Sequence, residues 1–263
     1  MTGFDDFADD DLAPAELAAR TAQVALSYFG RGLAVENKAD GSPVTVADRA
    51  AEAAARAFVR EHFPDDGFVG EEGGVERPDA RRRWIVDPID GTKSFILKTP
   101  LFGTLIALER DGQPVIGSIY FAIRDLMLIG SAETGTFLNG DRCRVSSQTD
   151  LSRATMIVTD PRDLLPDPAN QLMIDLAREV RLVRGFGDCY GYYLVATGLA
   201  DLMIEPRNLK YYDVAPMAPI LAGAGGVFSS LGGDLDFSSG QGLAANPELH
   251  RQVVARAGQY HHR

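Results

Sequence analysis

The sequence predicts a mixed α/β fold in which helices and strands alternate along a chain of 263 residues. Apolar residues at helical spacing mark two long segments in the first part of the chain, at 12–30 and 47–62. Short apolar runs of strand length follow, and segments of both kinds alternate to the C-terminus. Such elements pack in layers, although periodicity alone does not separate α/β from α+β.

The first half begins with the two helices and continues with strands. Pro14 lies near the first turn of the first helix, where proline is tolerated, and the second helix is rich in alanine. A meander with turns is predicted over 125–146, in which Asn139-Gly140-Asp141 is a turn signal. The predicted strands before it are 67–71, 83–87, 102–109 and 114–123.

The second half is predicted to begin near Leu151, giving subdomains of 1–150 and 151–263. Its first strand is Ala154 to Thr159, and the proline- and aspartate-rich stretch 160–169 is predicted to be a loop. The predicted helices are 170–179, 190–198, 213–224 and 247–257. The predicted strands are 180–184 and 200–205.

The segment Trp84 to Thr92 carries the strongest chemical signal. A buried strand over Trp84 to Val86 brings Asp87 and Asp90 to its end, where two carboxylates so close together repel unless a cation lies between them. The helix predicted to start at Gly91-Thr92 offers backbone N–H groups to an anion. Hard cations beside a phosphate seat suit a phosphate-ester hydrolase. Asp-Pro and Asp-Gly are also common turn steps, which leaves a purely structural alternative.

Two further acidic groups follow apolar segments or begin helices. Glu71 and Glu72 end the strand that starts near Phe68, and Asp213 heads a segment rich in alanine and glycine. A single acid of this kind is most often a helix cap, and Asp213 fits that role. Three such groups are harder to attribute to capping alone.

These motifs resemble the inositol monophosphatase family of magnesium-dependent, lithium-sensitive phosphatases. The resemblance rests on Glu71-Glu72, on Asp87-Pro88-Ile89-Asp90-Gly91-Thr92 and on Asp213-Val214-Ala215-Pro216. It extends to Lys38, to Pro43 through Asp48 and to Gly223 through Gly226, and so covers nearly the whole chain. It implies the layered αβαβα sandwich of the inositol monophosphatase and fructose bisphosphatase type.

The resemblance also implies a set of ligands for two to three Mg²⁺ ions. Asp87 would bridge two of them, and Glu71 with the Ile89 carbonyl would complete one site. Asp90 and Asp213 would complete the other, with a third, weaker ion near Glu71. Carboxylate and carbonyl oxygens are the ligands that Mg²⁺ prefers.

Catalytic and phosphate-binding roles follow from the same resemblance. Gly91 and Thr92 would hold the phosphate through backbone N–H groups, and the Thr92 hydroxyl, paired with Asp48, would orient the attacking water. The structural alternatives are a helix cap for Thr92 and an exposed acid at a helix start for Asp48. Two residues remain open: Glu72 is either a neighbour of the metal ligands or solvated, and Lys38 either steadies the acids or lies on the surface.

The alcohol portion of the substrate is expected at Gly187-Asp188-Cys189-Tyr190 and Glu205. This stretch resembles the signature of the histidinol-phosphate phosphatase branch of the family. Asp188 and Glu205 would favour a cationic alcohol such as histidinol through charge-assisted hydrogen bonds, and Tyr190 could pack on the imidazole. The alternative is that Asp188 only caps the helix that follows it.

Composition narrows the possible functions and the possible cellular location of the protein. A net charge of −11 argues against nucleic-acid and anionic-membrane binding, and no apolar run approaches the roughly 20 residues that span a bilayer. The segment Met1 to Asp11 does not resemble a signal peptide, and two cysteines, Cys143 and Cys189, form no disulfide framework, so a cytoplasmic location is expected. The four histidines lie away from the acids in sequence, which disfavours a histidine-centred mechanism.

The leading hypothesis is a Mg²⁺-dependent histidinol-phosphate phosphatase of histidine biosynthesis, and the resemblance implies a homodimer. The enzymatic alternative is an inositol, sugar or nucleotide monophosphatase. A different class is a metal-binding regulator that has kept the fold and lost turnover, although the set of acids together with Thr92 argues against it.

Overall fold

A computed structural model describes residues 7–38 and 41–260. The predictions made for Met1–Asp6 and for the terminal His261 and His262 lie outside the described residues. The α-helices are α1 Asp9–Tyr28, α2 Val46–His62, α3 Thr92–Ile96, α4 Gln171–Glu179, α5 Cys189–Ala196, α6 Tyr211–Val214, α7 Met217–Gly223 and α8 Pro247–Tyr260. Short 3₁₀ turns are Leu151–Arg153, Pro161–Leu164 and Pro168–Asn170.

The strands fall into a short hairpin and two larger sheets. They are β1 Glu36–Asn37, β2 Pro43–Val44, β3 Gly67–Gly70, β4 Gly74–Glu76, β5 Arg82–Asp90, β6 Gly103–Arg110, β7 Gln113–Phe121, β8 Leu126–Ser131, β9 Gly135–Leu138, β10 Asp141–Cys143, β11 Thr155–Val158, β12 Leu182–Arg184, β13 Leu202–Glu205, β14 Val227–Ser229 and β15 Gly242–Ala245. β1 and β2 pair with each other.

The first large sheet has the order β10-β9-β8-β7-β6-β5-β3-β4, and its strands are antiparallel except for the parallel pair β3–β5. The second sheet has the order β12-β11-β13-β15-β14, in which β11 runs parallel to both β12 and β13. The sheets lie on either side of the boundary predicted near Leu151. The division into subdomains 1–150 and 151–263 stays a prediction.

Five layers result from the way the helices cover the sheets. α1 and α2 pack on one face of the first sheet, where Leu17 and Val59 meet Trp84. α5 and α7 fill the space between the sheets, and their cluster joins Ile119 of the first sheet to Met203 of the second. α4 and α8 cover the outer face of the second sheet. The predicted αβαβα sandwich is therefore confirmed.

Several predicted elements differ in the structure. The single helix predicted over 213–224 is two short helices, α6 and α7, separated at Ala215-Pro216, because proline lacks the N–H that would continue the first helix. The predicted loop 160–169 contains two of the 3₁₀ turns, each capped by an aspartate. The predicted turn at Asn139-Gly140 is a two-residue hairpin with positive φ at both residues.

Candidate active site

A bulge at the end of β5 brings Asp87 and Asp90 to the same side of the sheet. Residues three apart in a regular strand point to opposite faces. Asp87 pairs with Leu105 and Asp90 with Gly103, so β5 has one more residue than β6 between these pairs. That extra residue reverses the alternation, and the two carboxylates converge.

Asp213 completes a cluster of three acids from the first turn of α6. One oxygen from each of Asp87, Asp90 and Asp213 lies within 4.8 Å of the others. Asp213 also accepts a 2.7 Å hydrogen bond from the backbone N–H of Lys210, which caps α6. The capping and cluster interpretations of Asp213 therefore both describe its geometry.

The acids of this cluster are costly to ionise together. Burial and then the charge of Glu71 raise the pKa of Asp87 well above its usual range, and burial with the charge of Asp188 does the same to Asp90. Burial raises the pKa of Asp213 to about 8, against a capping hydrogen bond that lowers it. A cation placed among these oxygens would hold all three in the charged form.

Glu71 joins the cluster from the end of β3, next to a buried carboxylate that fixes its loop. The charge of Glu71 raises the pKa of Asp87, although Glu71 is not one of the three acids whose oxygens lie within 4.8 Å of one another. Glu52 of α2, only 2% exposed, accepts hydrogen bonds from the backbone N–H groups of Glu72 (2.6 Å) and Gly73 (2.7 Å). Arg56 forms a salt bridge with Glu52 at 2.7 Å, which neutralises the charge of this buried carboxylate.

Lys38 reaches this loop from the short β1–β2 hairpin. Its ammonium lies 2.7 Å from Glu71 and 2.6 Å from Glu72. Burial alone would lower the pKa of Lys38, but the hydrogen bonds to the two acids outweigh it and raise that pKa. The structure thus brings Lys38 and Glu72 to the predicted ligands, while a role in metal binding stays a prediction.

The donor set fits a hard metal ion. Its atoms are carboxylate oxygens, it is largely buried, and the charges that most strongly perturb Asp87 are those of other acids. The Ile89 N–H donates to Asp87 at 3.0 Å and its carbonyl accepts from the Thr92 hydroxyl at 3.1 Å, while metal binding by that carbonyl stays a prediction. An all-oxygen cluster of this kind could hold a metal of the Mg²⁺ or Mn²⁺ class.

Thr92 begins α3 next to the acids, and Gly91 precedes it at the cap position. Gly91 has a φ of 85°, which glycine adopts without strain. The Thr92 hydroxyl lies 3.1 Å from the Ile89 carbonyl and 3.4 Å from Asp48 Oδ1. The other oxygen of Asp48 accepts from the Thr45 backbone (2.8 Å) and hydroxyl (2.7 Å). Asp48 is 1% exposed, so its interpretation as an exposed acid is wrong. Its Oδ1 takes no part in the hydrogen bonds from Thr45 and faces the Thr92 hydroxyl.

A cavity of about 460 Å³ opens beside the cluster. Asp90 and Asp213 line it together with Asp188, Glu205 and Tyr192, and we call these five residues its inner end because they perturb one another's pKa. The other charged and amide residues that line it, which we call its outer part, are Lys93, Asp160, Arg162, Asp163, Asn170 and Arg207.

The outer acids of this cavity are already neutralised. Asp160 is bonded to Arg162, with Nε 2.8 Å from Oδ2, and Arg207 lies 2.8 Å from Asp163. Asp188 and Glu205 are different, because among the described residues neither has an arginine or lysine at salt-bridge distance, and burial raises the pKa of each, to about 7 for Glu205. A cationic ligand at the inner end of the cavity would favour the charged forms of Asp188 and Glu205.

Asp188 has an unusual backbone that directs its groups into the site. Its φ is 52°, in the region that non-glycine residues rarely adopt, and its side chain makes no capping bond to α5. Its N–H instead donates to Thr159 Oγ1 at 3.0 Å. The interpretation of Asp188 as a side-chain cap is therefore wrong, and the first N–H of α5, from Cys189, is bonded by Asp90.

The remaining predicted substrate residues divide between the cavity and its surroundings. Cys189 lines the cavity and is buried. Gly187 lies against Thr159, where a Cβ would come within 2.1 Å of the threonine Cα. The Tyr190 ring packs on Phe121 and Tyr193, and Tyr190 is not among the cavity-lining residues.

Sequence reasoning missed Tyr192 and Thr159. Residues four apart lie on one face of a helix, whereas residues two apart do not. Since α5 follows directly after Asp188, the residue expected beside it on the helix is Tyr192 rather than Tyr190. Helical spacing counted from Asp188 would have found it, but no sequence signal pointed to Thr159.

The layered α/β sandwich places an acidic cluster beside a helix start and a cavity. This arrangement could hold metal ions together with a small anionic ligand. The inositol monophosphatase family matches this chain over residues 9–262. The chain belongs to the inositol monophosphatase family.

Named relatives of this chain support its assignment to the family. The histidinol-phosphatase of Chlorobaculum parvum is 40% identical over 92% of this chain and 94% of its own length. That of Mycobacterium tuberculosis is 34% identical over 94% and 97%. The fructose-1,6-bisphosphatase/inositol-1-monophosphatase of Aquifex aeolicus is 30% identical over 86% of each chain.

Solved structures show the same fold. An inositol monophosphatase from Zymomonas mobilis superposes with a TM-score of 0.83 at 37% identity, covering 95% of this chain and 98% of its own. An IMPase from Thermotoga maritima gives a TM-score of 0.86 at 25% identity, covering 96% and 98%.

Proposed function

We propose that this protein is a Mg²⁺-dependent phosphomonoester hydrolase whose substrate is L-histidinol phosphate. The observation that carries the substrate is the pair of acids at the inner end of the cavity, Asp188 and Glu205, which no arginine of the cavity neutralises in the way that Arg162 and Arg207 neutralise the outer acids. Histidinol carries an amine and an imidazole, both able to donate charge-assisted hydrogen bonds to carboxylates. The names of the two histidinol-phosphatase relatives support the same choice.

The acidic cluster is proposed as the metal site. The groups that would hold the ions are the carboxylates of Glu71, Asp87, Asp90 and Asp213 and the carbonyl of Ile89. Bound Mg²⁺ would supply positive charge for the phosphoryl oxygens and make a water more acidic. We propose that Lys38 and Glu72 fix the position of Glu71.

The start of α3 is proposed to seat the phosphate and direct the water. The backbone N–H groups of Gly91 and Thr92 lie where a helix start leaves donors unpaired. When Asp48 Oδ1 accepts the hydroxyl hydrogen of Thr92, the Thr92 oxygen is free to accept a hydrogen from the attacking water. Thr45 holds the other oxygen of Asp48 and so keeps Oδ1 aimed at Thr92.

An inositol phosphate is the second candidate substrate, because relatives and structural neighbours named inositol monophosphatases also match the chain. The test is phosphate release from L-histidinol phosphate and inositol 1-phosphate, measured side by side with Mg²⁺, with chelator and with lithium. We expect the higher kcat/KM for histidinol phosphate, no activity in chelator and inhibition by lithium. A preference for the inositol ester would reverse the substrate assignment, and activity in chelator would reject the metal site.

We also propose a cytoplasmic location and a homodimeric state. Both cysteines are free and buried, which suits a reducing cytoplasm. Among the helices of the described residues, none is long and apolar enough to span a bilayer. A homodimer is proposed from the family resemblance, and light scattering of the purified protein would measure it.

A further inference from the structure

The inner end of the cavity contains a carboxylate held by a hydroxyl group that the reaction itself does not use. Thr159 follows β11 and Glu205 ends β13, and these strands are parallel neighbours in the second sheet. The Thr159 hydroxyl lies 2.5 Å from Glu205 Oε1. Glu205 is 6% exposed, so its hydrogen bonds within the protein largely determine where its oxygens point.

The direction of this hydrogen bond is fixed by a second contact. The backbone N–H of Asp188 donates to Thr159 Oγ1 at 3.0 Å. Because that contact uses a lone pair of the hydroxyl oxygen, the single hydroxyl hydrogen of Thr159 is directed to Glu205. One threonine therefore connects the two acids proposed to select the substrate.

Gly187 makes the approach of these groups possible. A Cβ at Gly187 would lie 2.1 Å from Thr159 Cα and 2.2 Å from its hydroxyl oxygen, distances at which the two segments would have to move apart. The positive φ of Asp188 turns the chain back toward Thr159 directly after this contact. A local backbone arrangement that costs energy is thus retained around the Thr159 hydroxyl.

The Tyr192 hydroxyl lies beside the Glu205 carboxyl and lowers its pKa by hydrogen bonding. Among the described residues, neither that hydroxyl nor the second oxygen of Glu205, Oε2, has a hydrogen bond of standard geometry, so both remain able to pair with a ligand. Burial raises the pKa of Tyr192 well above its usual range, so its hydroxyl remains a donor at neutral pH. Both residues line the cavity. Buried polar atoms left unpaired are costly, and a ligand that pairs them removes that cost.

We propose that Thr159 is a positioning residue for substrate selection, which orients Glu205 so that Oε2 accepts a hydrogen bond from a donor group on the alcohol portion of the substrate. This inference rests on the proposed function only in its choice of ester. The phosphate would lie at the acidic cluster, and the donor group would reach the pair formed by Glu205 Oε2 and the Tyr192 hydroxyl. A nitrogen-bearing alcohol that donates to Glu205 would satisfy the buried acceptor.

The test compares Thr159→Val, which removes the hydroxyl at similar volume, with Thr159→Ser, which keeps it. Wild type is first assayed on histidinol phosphate, inositol 1-phosphate and glycerol 2-phosphate, and this step alone decides the proposed function. The selectivity of each variant is then the ratio of kcat/KM for the preferred ester to that for glycerol 2-phosphate. We expect Thr159→Val to lower this ratio roughly tenfold, the effect of one hydrogen bond to a charged group, chiefly through KM. Thr159→Ser should restore it to within about threefold.

A double-mutant cycle separates positioning from folding. If Thr159 acts through Glu205, Thr159→Val added to Glu205→Ala should change selectivity no further, because the group it orients is gone. Thermal unfolding of every variant reports stability independently. Equal losses on both esters, a serine variant as impaired as the valine variant, or additive effects in the cycle would each overturn the inference, whichever ester wild type prefers.

Discussion

Replacement of Asp188 by asparagine tests how the cavity distinguishes a charged alcohol from a neutral one. The substitution keeps the shape of the side chain and removes its charge. Asparagine tolerates the positive φ of 52° found at this position, and no side-chain cap on α5 is lost because Asp188 makes none. The structure therefore predicts a change in recognition with little change in stability.

The magnitude follows from the surroundings of the carboxylate. A hydrogen bond to a charged group contributes about 1.5–3 kcal/mol, which corresponds to roughly 10- to 150-fold in kcat/KM. Lys93 offsets part of the charge of Asp188, since it lowers the pKa that burial raises. We therefore expect the lower end of that range, about a tenfold loss for histidinol phosphate and less than about threefold for glycerol 2-phosphate.

The matched control is Asp160→Asn, made in the same cavity. The Asp160 carboxylate is bonded to Arg162 and lies in the outer part, so its removal should alter both esters by less than about threefold. The assay is steady-state phosphate release on both esters for wild type and the two variants. Equal losses on the two esters, or equal effects of the two substitutions, would refute the assignment of Asp188 to substrate selection.

Three further predictions concern the cluster and its supports. Asp87→Asn should lower kcat by roughly 10²-fold or more at saturating Mg²⁺, and near-normal turnover would reject the mechanism. In chelator the same variant should have a higher melting temperature, because it removes one of several buried acids that repel one another. In chelator the pKa values of Asp213 (about 8) and Glu205 (about 7) exceed their unfolded values near 4. The folded protein therefore binds more protons than the unfolded protein between about pH 4 and pH 8, and its free energy of unfolding should fall as the pH rises through this window. Mg²⁺ should flatten that decline at Asp213, and melting curves that rise across this window in chelator would contradict it. Gly187→Ala should lower the melting temperature and selectivity together, because its Cβ meets Thr159; unchanged values of both would show that the chain moves aside freely.

The acidic cluster could be predicted from the sequence because its members lie in short motifs. Asp87 and Asp90 are three residues apart after an apolar strand, and their repulsion is readable without a structure. The bulge that turns both to the same side is not, since it depends on how β5 pairs with β6. The mixture of helices and strands was predicted from the periodicity of long helices and apolar strands, whereas the layered sandwich was predicted from the family resemblance.

The cavity was harder to predict because its residues come together from distant parts of the chain. Thr159 and Glu205 are 46 positions apart and meet only through the pairing of β11 with β13. The strand β15 was missed because Gly242 and its alanine neighbours have little strand preference, and the pairing with β13 supplies what propensity does not. The sequence analysis favours Tyr190 over Tyr192 because it interprets the motif residue by residue and does not apply the helical spacing of the predicted helix 190–198 to the preceding Asp188.

The division of the site between two sheets separates its two tasks. Asp87 and Asp90, at the end of β5, belong to the first sheet, whereas Thr159 and Glu205 belong to the second. The two groups meet at the start of α5, where the Cys189 N–H bonds Asp90 and the charge of Asp188 raises the pKa of Asp90. A substitution on β11 or β13 can therefore change the pocket while leaving in place the strand that carries Asp87 and Asp90, whereas a substitution at Asp188 acts on both groups at once. Relatives of this chain include phosphatases of several names.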